Sequence, residues 1–317
     1  MTGTVFNQEK ESIAFRIFFI CWFLLLLAGP AVAQHSPHHL PECPAIRSGD
    51  QIIRHFAYTL CYDEPHEQAR WVAYELTLAE TNGPEERASG FFEDPAVTTG
   101  SATDTDYAGS GYDRGHLAPA GDMTWSDRAM HESFYYSNMS PQVPSFNRGI
   151  WKKLETLVRA WAQVYDGILI ATGPLLEPDL PTIGPERVSI PTHYYKVILD
   201  GDSVRGWKSI GFIMANAASA APLQSFAVSV DEVERITGID FFPFLPDGTE
   251  ERTESVVFKE AWNWNSGPVH VETETIREST HPGSSEPASI QCTGITKAGT
   301  RCHNHTTDPS GRCHLHR

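Results

Sequence analysis

Basic residues are scarce in this 317-residue chain, where 24 Lys and Arg oppose 40 Asp and Glu for a formal net charge of −16. Tight static binding of nucleic acid depends on counterion release by many lysines and arginines. The composition therefore disfavours a nucleic-acid-binding module. It leaves room for an enzyme that touches a few phosphates through a cation and one or two arginines.

Apolar runs of membrane-spanning length are also absent, and the longest covers residues 17–29. It is shorter than the roughly 20 residues that cross a bilayer. Lys10 and Arg16 precede it and Ala31-Val32-Ala33 follow it, a pattern typical of a secretory signal. We therefore expect residues 1–33 to be a signal peptide, the mature protein to be secreted or periplasmic, and no membrane association after cleavage. An uncleaved membrane anchor is the alternative.

Cysteine is sparse, with six residues in the chain. Cys21 lies inside the predicted signal peptide, and Cys43 and Cys61 would be candidates for a disulfide in an exported protein. The other three cysteines fall within the last 26 residues. Their clustering marks the C-terminus as a separate unit.

Composition divides the rest of the chain into three parts. Residues 34–265 contain the apolar periodicities of a folded domain, and no internal repeat is evident. Residues 266–288 are polar, with scattered Pro and Gly, as in a linker. Residues 289–317 switch to a basic, Cys- and His-rich composition. We therefore predict one main domain, a linker and a small C-terminal cassette.

Periodicity within the main domain predicts strands and helices in no regular alternation, which favours an α+β fold. Helices are predicted over Trp125–Ser137, Asn147–Tyr165 and Asp231–Thr237, the last with Asp231 as N-cap and Glu234 in a capping box. The predicted strands are His55–Tyr62, Trp71–Leu78, Gly167–Thr172, Thr192–Leu199, Ser209–Ala215 and Ser225–Val230.

The segment Asp113-Arg114-Gly115-His116 follows a long predicted loop and combines groups suited to a phosphate site. Neutral histidine accepts a proton near pH 7, arginine matches phosphate oxygens, and glycine permits close approach of the backbone. Taken alone, the segment equally fits a loop histidine that makes a structural hydrogen bond.

Asn147, Glu155 and Arg159 lie along the predicted helix on one side of its apolar stripe. The Asn147 carbonyl oxygen is a suitable ligand for a hard cation. Spacing alone also fits a capping asparagine and an ordinary Glu155–Arg159 surface pair.

Several separated motifs together resemble the DNA/RNA non-specific endonucleases, the DRGH nucleases of the ββα-metal (His-Me finger) superfamily. They occur in the family's order, and the gaps of 31 residues from His116 to Asn147 and of eight to Glu155 agree with it. The resemblance covers about residues 50–262. The matching segments are Trp71–Leu76, Phe91–Pro95, Tyr112–Met123, Tyr135–Pro141, Phe146–Glu155 and Val230–Pro243.

The resemblance implies a ββα-metal finger with a central antiparallel sheet flanked by helices. It implies that His116 is the general base and that Asn147 binds Mg²⁺, with Mn²⁺ as a second candidate ion. Glu155 would hold waters around the metal. Arg114 and Arg159 would contact the phosphate, and Arg87 would stabilise developing charge. Asn138 also matches a motif position, with bracing of the loop as its alternative role.

The expected activity is Mg²⁺-dependent hydrolysis of phosphodiester bonds in DNA and RNA, giving 5′-phosphate products. A phosphodiesterase acting on another ester and a catalytically silent surface nucleic-acid-binding protein are the alternatives. A homodimer is left open, and an inhibitor or immunity partner cannot be read from the sequence.

The C-terminal cassette carries Cys292, Cys302, Cys313 and His316, a set that suits a tetrahedral Zn²⁺ site. Fewer than 30 residues cannot bury a core without such a staple. Disulfides are the alternative, although three cysteines cannot all pair with one another.

Overall fold

The computed structural model describes residues 43–265 and the two short strands β12 (Ile290–Gln291) and β13 (His305–Thr306). Contacts divide the chain into two units, Met1–Val269 and His270–Arg317. In the second unit β12 pairs antiparallel with β13. The predicted signal peptide, linker and zinc ligands Cys292, Cys302, Cys313 and His316 lie outside the described residues.

A seven-stranded antiparallel sheet, with the strand order β1-β2-β3-β6-β9-β10-β11, forms the centre of the first unit. Its strands are β1 (Gln51–Arg54), β2 (Thr59–Asp63), β3 (Gln68–Leu76), β6 (Ile168–Pro174), β9 (His193–Asp202), β10 (Gly206–Ala215) and β11 (Ala227–Val228). Two separate two-stranded antiparallel sheets pair β4 (Asp113–His116) with β5 (Met139–Gln142) and β7 (Thr182–Ile183) with β8 (Val188–Ser189).

Both faces of the sheet are buried because its central strands are apolar at successive positions. In β6, Ile168 and Ile170 belong to one hydrophobic cluster, whereas Leu169 and Ala171 belong to another. Side chains alternate between the two faces of a strand, so this pattern assigns one cluster to each face. The sheet therefore lies between two apolar layers.

Helices cover the two faces. Their bounds are α1 (Asp104–Tyr107), α2 (Asp127–Glu132), α3 (Lys152–Tyr165), α4 (Val230–Thr237) and α5 (Asp247–Glu254). Helix α3 buries the predicted stripe, including Leu154, Val158 and Trp161, in the cluster on one face, and α4 buries Val230 and Val233 in the other. The predicted α+β fold, with a central antiparallel sheet flanked by helices, is confirmed.

The two-stranded sheet β4–β5 is followed by a six-residue π-helical turn, Phe146–Trp151, and then by α3. This order is the expected ββα finger. The prediction of one continuous helix over Asn147–Tyr165 was wrong, since Gly149 has non-helical dihedral angles, φ −103° and ψ −111°. The break places Asn147 in a turn, where the angular spacing of a regular helix does not apply.

Three further local predictions need correction. Ser229, not Asp231, caps α4, and its side chain accepts a hydrogen bond from the Glu232 N–H. Within the predicted helix Trp125–Ser137 the α-helix is the shorter α2, and a 3-10 turn begins at Tyr136. Cys43 and Cys61 are both buried, and no disulfide joins them to each other.

Within residues 43–265 no helix is long and apolar enough to cross a membrane.

Candidate active site

Strand β4 consists of the Asp113-Arg114-Gly115-His116 motif and pairs with β5 over its whole length. Gly115 is required by the packing, because a Cβ atom there would lie 2.2 Å from the Gln142 side chain. The glycine thus allows β4 to lie close to its neighbour. His116 follows it at the end of the strand.

His116 is buried between two aromatic rings. Its ring centroid lies 4.7 Å from that of Phe134 and 5.9 Å from that of Phe91. Burial, and secondarily the nearby Arg87 charge, lower the pKa of His116 to about 3. Within the described part of the chain its Nε2 atom has no hydrogen-bond partner. The imidazole is therefore neutral near pH 7 with Nε2 unsatisfied, which does not support the alternative of a structural hydrogen bond through that atom.

Asp113 fixes the orientation of Asn147. The Asn147 Nδ2 atom donates to Asp113 Oδ2 at 2.9 Å, and Arg148 donates to both carboxylate oxygens, at 2.8 and 2.5 Å. Burial would raise the pKa of Asp113, but these hydrogen bonds outweigh it and keep the pKa below its ordinary value. Because a carboxylate only accepts hydrogen bonds, the amide NH₂ must face Asp113. The Asn147 carbonyl oxygen is left for another partner.

Glu155 projects from the first turn of α3 and lies near a buried lysine that sequence reasoning missed. Burial raises the pKa of Glu155, and the Lys196 charge opposes that rise. Lys196 is 1% exposed, its ammonium lies 5.1 Å from the centre of the Trp151 ring, and burial lowers its pKa. This buried cation favours the ionised form of Glu155.

The buried Asp122 carboxylate holds the Arg159 guanidinium in place. Its Nε donates to Asp122 Oδ1 at 2.6 Å, and the Tyr74 hydroxyl donates to Asp122 Oδ2 at 2.8 Å. Gly121 leaves space for the guanidinium, since a Cβ atom at that position would lie 2.4 Å from Arg159 Nη2. These contacts fix the position of the Arg159 guanidinium.

Two other predicted arginines rest on aromatic rings. Arg114 lies 5.2 Å from the centre of Phe91, with Nε donating to the Tyr136 hydroxyl at 2.9 Å. Its Nη2 donates to Asp104 at 2.7 Å. Arg87 lies 4.9 Å from the centre of Phe134, and burial lowers its pKa. Stacking on the rings, together with hydrogen bonds in the case of Arg114, orients these planar cations.

All six predicted active-site residues line one cleft of about 610 Å³: Arg87, Arg114, His116, Asn147, Glu155 and Arg159. The structure adds three charged residues that sequence reasoning missed, Asp113, Arg148 and Lys152. Five basic side chains line the cleft against two carboxylates, in a protein whose formal net charge is −16. The cleft is thus suited to a phosphate-containing polyanion. Asn138 lies outside this lining and braces the adjoining loop through hydrogen bonds with Ala118 and Ser133.

Residues 42–248, which are 207 of the 317, match the family model of the DNA/RNA non-specific endonucleases. The chain belongs to this family. Over 230 residues the endonuclease is 36% identical to mitochondrial Endonuclease G of Bos taurus, covering 68% of this chain and 75% of that protein. Over 212 residues it is 37% identical to Nuclease C1 of Cunninghamella echinulata var. echinulata, covering 61% and 83%.

The fold agrees with this relationship. A chain in the crystal structure of the EndoG/EndoGI complex matches the endonuclease with a TM-score of 0.60 and 32% sequence identity, covering 68% of this chain and 91% of that one. The protein is a nuclease, a hydrolase of phosphodiester bonds, in a metal-dependent family. A catalytically silent binding protein is therefore not supported.

The relatives contradict the predicted location. The Endonuclease G proteins of Bos taurus and Homo sapiens, and the EXOG nuclease of Danio rerio, are named mitochondrial. The prediction of a secreted or periplasmic endonuclease was wrong. It depended on the apolar run and its flanking residues, whose composition does not by itself specify the compartment in which the protein resides.

Proposed function

We propose that the endonuclease is Mg²⁺-dependent and sugar-non-specific, and that it cleaves DNA and RNA to products with 5′ phosphates. The observation that carries this proposal is the convergence of His116, Asn147 and Glu155 on one cationic cleft. His116 lies on strand β4, Asn147 in the π-helical turn and Glu155 on helix α3. The ββα finger brings these three elements together.

The cleft offers oxygen donors that fit a hard divalent cation. The Asn147 carbonyl oxygen would be the direct ligand, because Asp113 holds the amide nitrogen on the other side. The Glu155 carboxylate would stabilise the ion's hydration shell. Mg²⁺ keeps most of its waters and tolerates few protein ligands, and Mn²⁺ is the second candidate. When bound, the ion would stabilise charge on the phosphate and on the departing 3′ oxygen.

His116 would act as the general base. Its neutral Nε2 takes a proton from the attacking water, whose oxygen forms a new bond to phosphorus. The bond from phosphorus to the 3′ oxygen breaks, and this oxygen takes up a proton from solvent. The phosphate stays on the 5′ side.

The arginines supply the remaining positive charge. Arg114 and Arg159 would bind the non-bridging phosphate oxygens, and Arg87, which stacks on Phe134 beside His116, would stabilise the charge that develops there. None of these contacts requires a base edge or a 2′ hydroxyl. We therefore infer cleavage of DNA and RNA, single- and double-stranded.

Digestion of supercoiled plasmid and of RNA, with Mg²⁺ or with EDTA, tests the proposal. His116→Ala and Asn147→Ala should each abolish most cleavage of both substrates. His131→Ala and Asn82→Ala are matched controls, because both side chains are exposed and neither lines the cleft. Undiminished cleavage by His116→Ala, or equal cleavage in EDTA and in Mg²⁺, would contradict the mechanism.

We also propose that residues 34–265 form the nuclease domain, followed by a linker over 266–288 and a zinc-binding cassette over 289–317. The division of the chain between Val269 and His270 supports a linker there. Cys292, Cys302, Cys313 and His316 would bind Zn²⁺. Metal analysis of the purified full chain should find one zinc, lost in Cys302→Ser, and a zinc-free chain would refute the cassette.

An inhibitor protein is a candidate partner, since the matching structure is a complex that concerns EndoG inhibition.

A further inference from the structure

A group of carboxylates lies on helices α4 and α5, away from the finger. Oxygen atoms of Asp231, Glu234 and Glu254 all lie within 4.8 Å of one another. Helix α4 packs its buried valines in the cluster on one face of the sheet, whereas α3 packs on the other face. The acidic group is therefore separate from the nuclease cleft.

Glu254 is the buried member of the group. The residue exposes 2% of its surface, and within the described residues its Oε1 atom has no hydrogen-bond partner. Its position is fixed, since the preceding residue, Thr253, accepts a hydrogen bond from the Ser209 hydroxyl at 2.7 Å. A buried carboxylate oxygen without a donor, on a residue whose carboxylate lies within 4.8 Å of two others, indicates a missing positive charge.

Among residues 43–265, no basic side chain forms an ion pair with Glu254. The charged neighbours that act most strongly on Glu254 are acidic: Glu234, Glu250, Asp231 and Asp240. The arginines of these two helices are engaged elsewhere, Arg235 with Glu232 and Arg252 with Thr249. Three carboxylates thus lie in contact, one of them on a buried residue with an unpartnered oxygen, and none of them has a cationic side chain as partner among residues 43–265.

We propose that Asp231, Glu234 and Glu254 bind a structural Ca²⁺ ion that connects α4 to α5. Ca²⁺ accepts six to eight oxygen ligands at about 2.3–2.6 Å in flexible geometry, so ligands on opposite sides are up to about 5 Å apart. Mg²⁺ demands near-ideal octahedral geometry, keeps several waters and is usually bound through only one or two carboxylates, so three carboxylates favour Ca²⁺. Glu234 is already oriented, because one of its oxygens accepts the Phe241 N–H at 2.7 Å. Waters complete the shell.

The site goes beyond the nuclease function and beyond the family match. Glu254 lies past residue 248, where the match ends. The ion would hold α4, which lies inside the matched segment, to the C-terminal end of α5, which lies beyond it. It has no part in the cleavage chemistry, so the two proposals can fail separately.

Calcium binding by the full chain tests this site. The Asn147→Ala variant removes the proposed catalytic ligand, so that Ca²⁺ in the cleft does not contribute. Equilibrium dialysis at millimolar Ca²⁺ followed by elemental analysis should find one calcium per chain in Asn147→Ala. Adding Glu254→Gln, which has the shape of the protonated acid, should remove it, whereas adding the exposed Glu260→Gln should not.

Thermal unfolding provides the second measurement. Ca²⁺ at about 100 times its dissociation constant should raise the unfolding temperature of Asn147→Ala by about 5–10 °C, with no shift after Glu254→Gln is added. Without metal the Glu254→Gln protein should remain folded. Absence of bound calcium, or binding retained after Glu254→Gln, would overturn the site. An equal shift with Mg²⁺ would overturn the choice of ion.

Discussion

Removing the Asp113 carboxylate should weaken metal use by the endonuclease without unfolding it. In Asp113→Ala the Asn147 amide loses the 2.9 Å hydrogen bond that orients its carbonyl oxygen. A hydrogen bond to a charged group contributes about 1.5–3 kcal/mol. Each 1.4 kcal/mol corresponds to a factor of ten in population, so the oriented Asn147 should become about 10- to 100-fold rarer. Loss of residues that support metal ligands commonly has effects of this size.

The assay is plasmid cleavage as a function of Mg²⁺ concentration. For Asp113→Ala we expect the half-saturating Mg²⁺ concentration to rise by that factor, with a smaller rise for Asp113→Asn, which keeps one acceptor oxygen. Arg148→Ala is the matched control, since it removes the other partner of Asp113 but leaves the bond to Asn147. It should alter substrate KM rather than metal dependence. Unchanged Mg²⁺ dependence in Asp113→Ala would refute the positioning role.

Three other outcomes are expected. Gly121→Ala should displace Arg159 and lower kcat/KM at least tenfold with little change in Tm. Gly248→Ala is the control and should leave activity intact, because the atom nearest to its new Cβ lies 3.5 Å away. Trp161→Ala should lower the free energy of unfolding in urea by about 3–5 kcal/mol, because the side chain is fully buried and its ring centroid lies 4.4 Å from that of Trp262. A loss below 1 kcal/mol would contradict its place in the core. In EDTA, the unfolding free energy should fall as pH rises from about 4.5 to about 9, because the folded state keeps a proton on Glu254 that the unfolded chain releases. Glu254→Gln should flatten that pH profile, and a flat profile in the parent protein would contradict the raised pKa.

The sheet and the main helix were predictable because their periodicities are strong. The apolar stripe of α3, including Leu154 and Trp161, is buried as expected. The turn before it was not predicted, since Ile150 and Trp151 continue the apolar pattern through the π-helical segment. Gly149 was the one local sign of a break.

The start of α4 shows how two valid signals compete. Ser229-x-x-Glu232 and Asp231-x-x-Glu234 both have the spacing of a capping box. The earlier cap prevails because Val230 must lie within the helix to be buried beside the sheet. Burial of one side chain, which local sequence does not specify, decides the boundary.

The motifs located the six predicted cleft residues, and the missed Asp113, Arg148 and Lys152 lie beside them in the same segments. Lys196 lies on β9, 41 residues beyond Glu155, and only the packing of α3 on the sheet brings the two charges together. Nothing in its local sequence marks it. Arg148 and Lys152 were overlooked because single basic residues near a helix start are ordinary surface features.

The contrast between the cationic cleft and the acidic chain has a kinetic consequence. Over residues 43–265, where acidic residues outnumber basic ones, a polyanion is attracted to the cleft but repelled by much of the remaining surface. Little energy therefore holds the polyanion to this domain outside the cleft, so the domain does not favour sliding after a cut. The endonuclease should therefore be distributive, releasing each strand between successive breaks and scattering its cuts over all the molecules present.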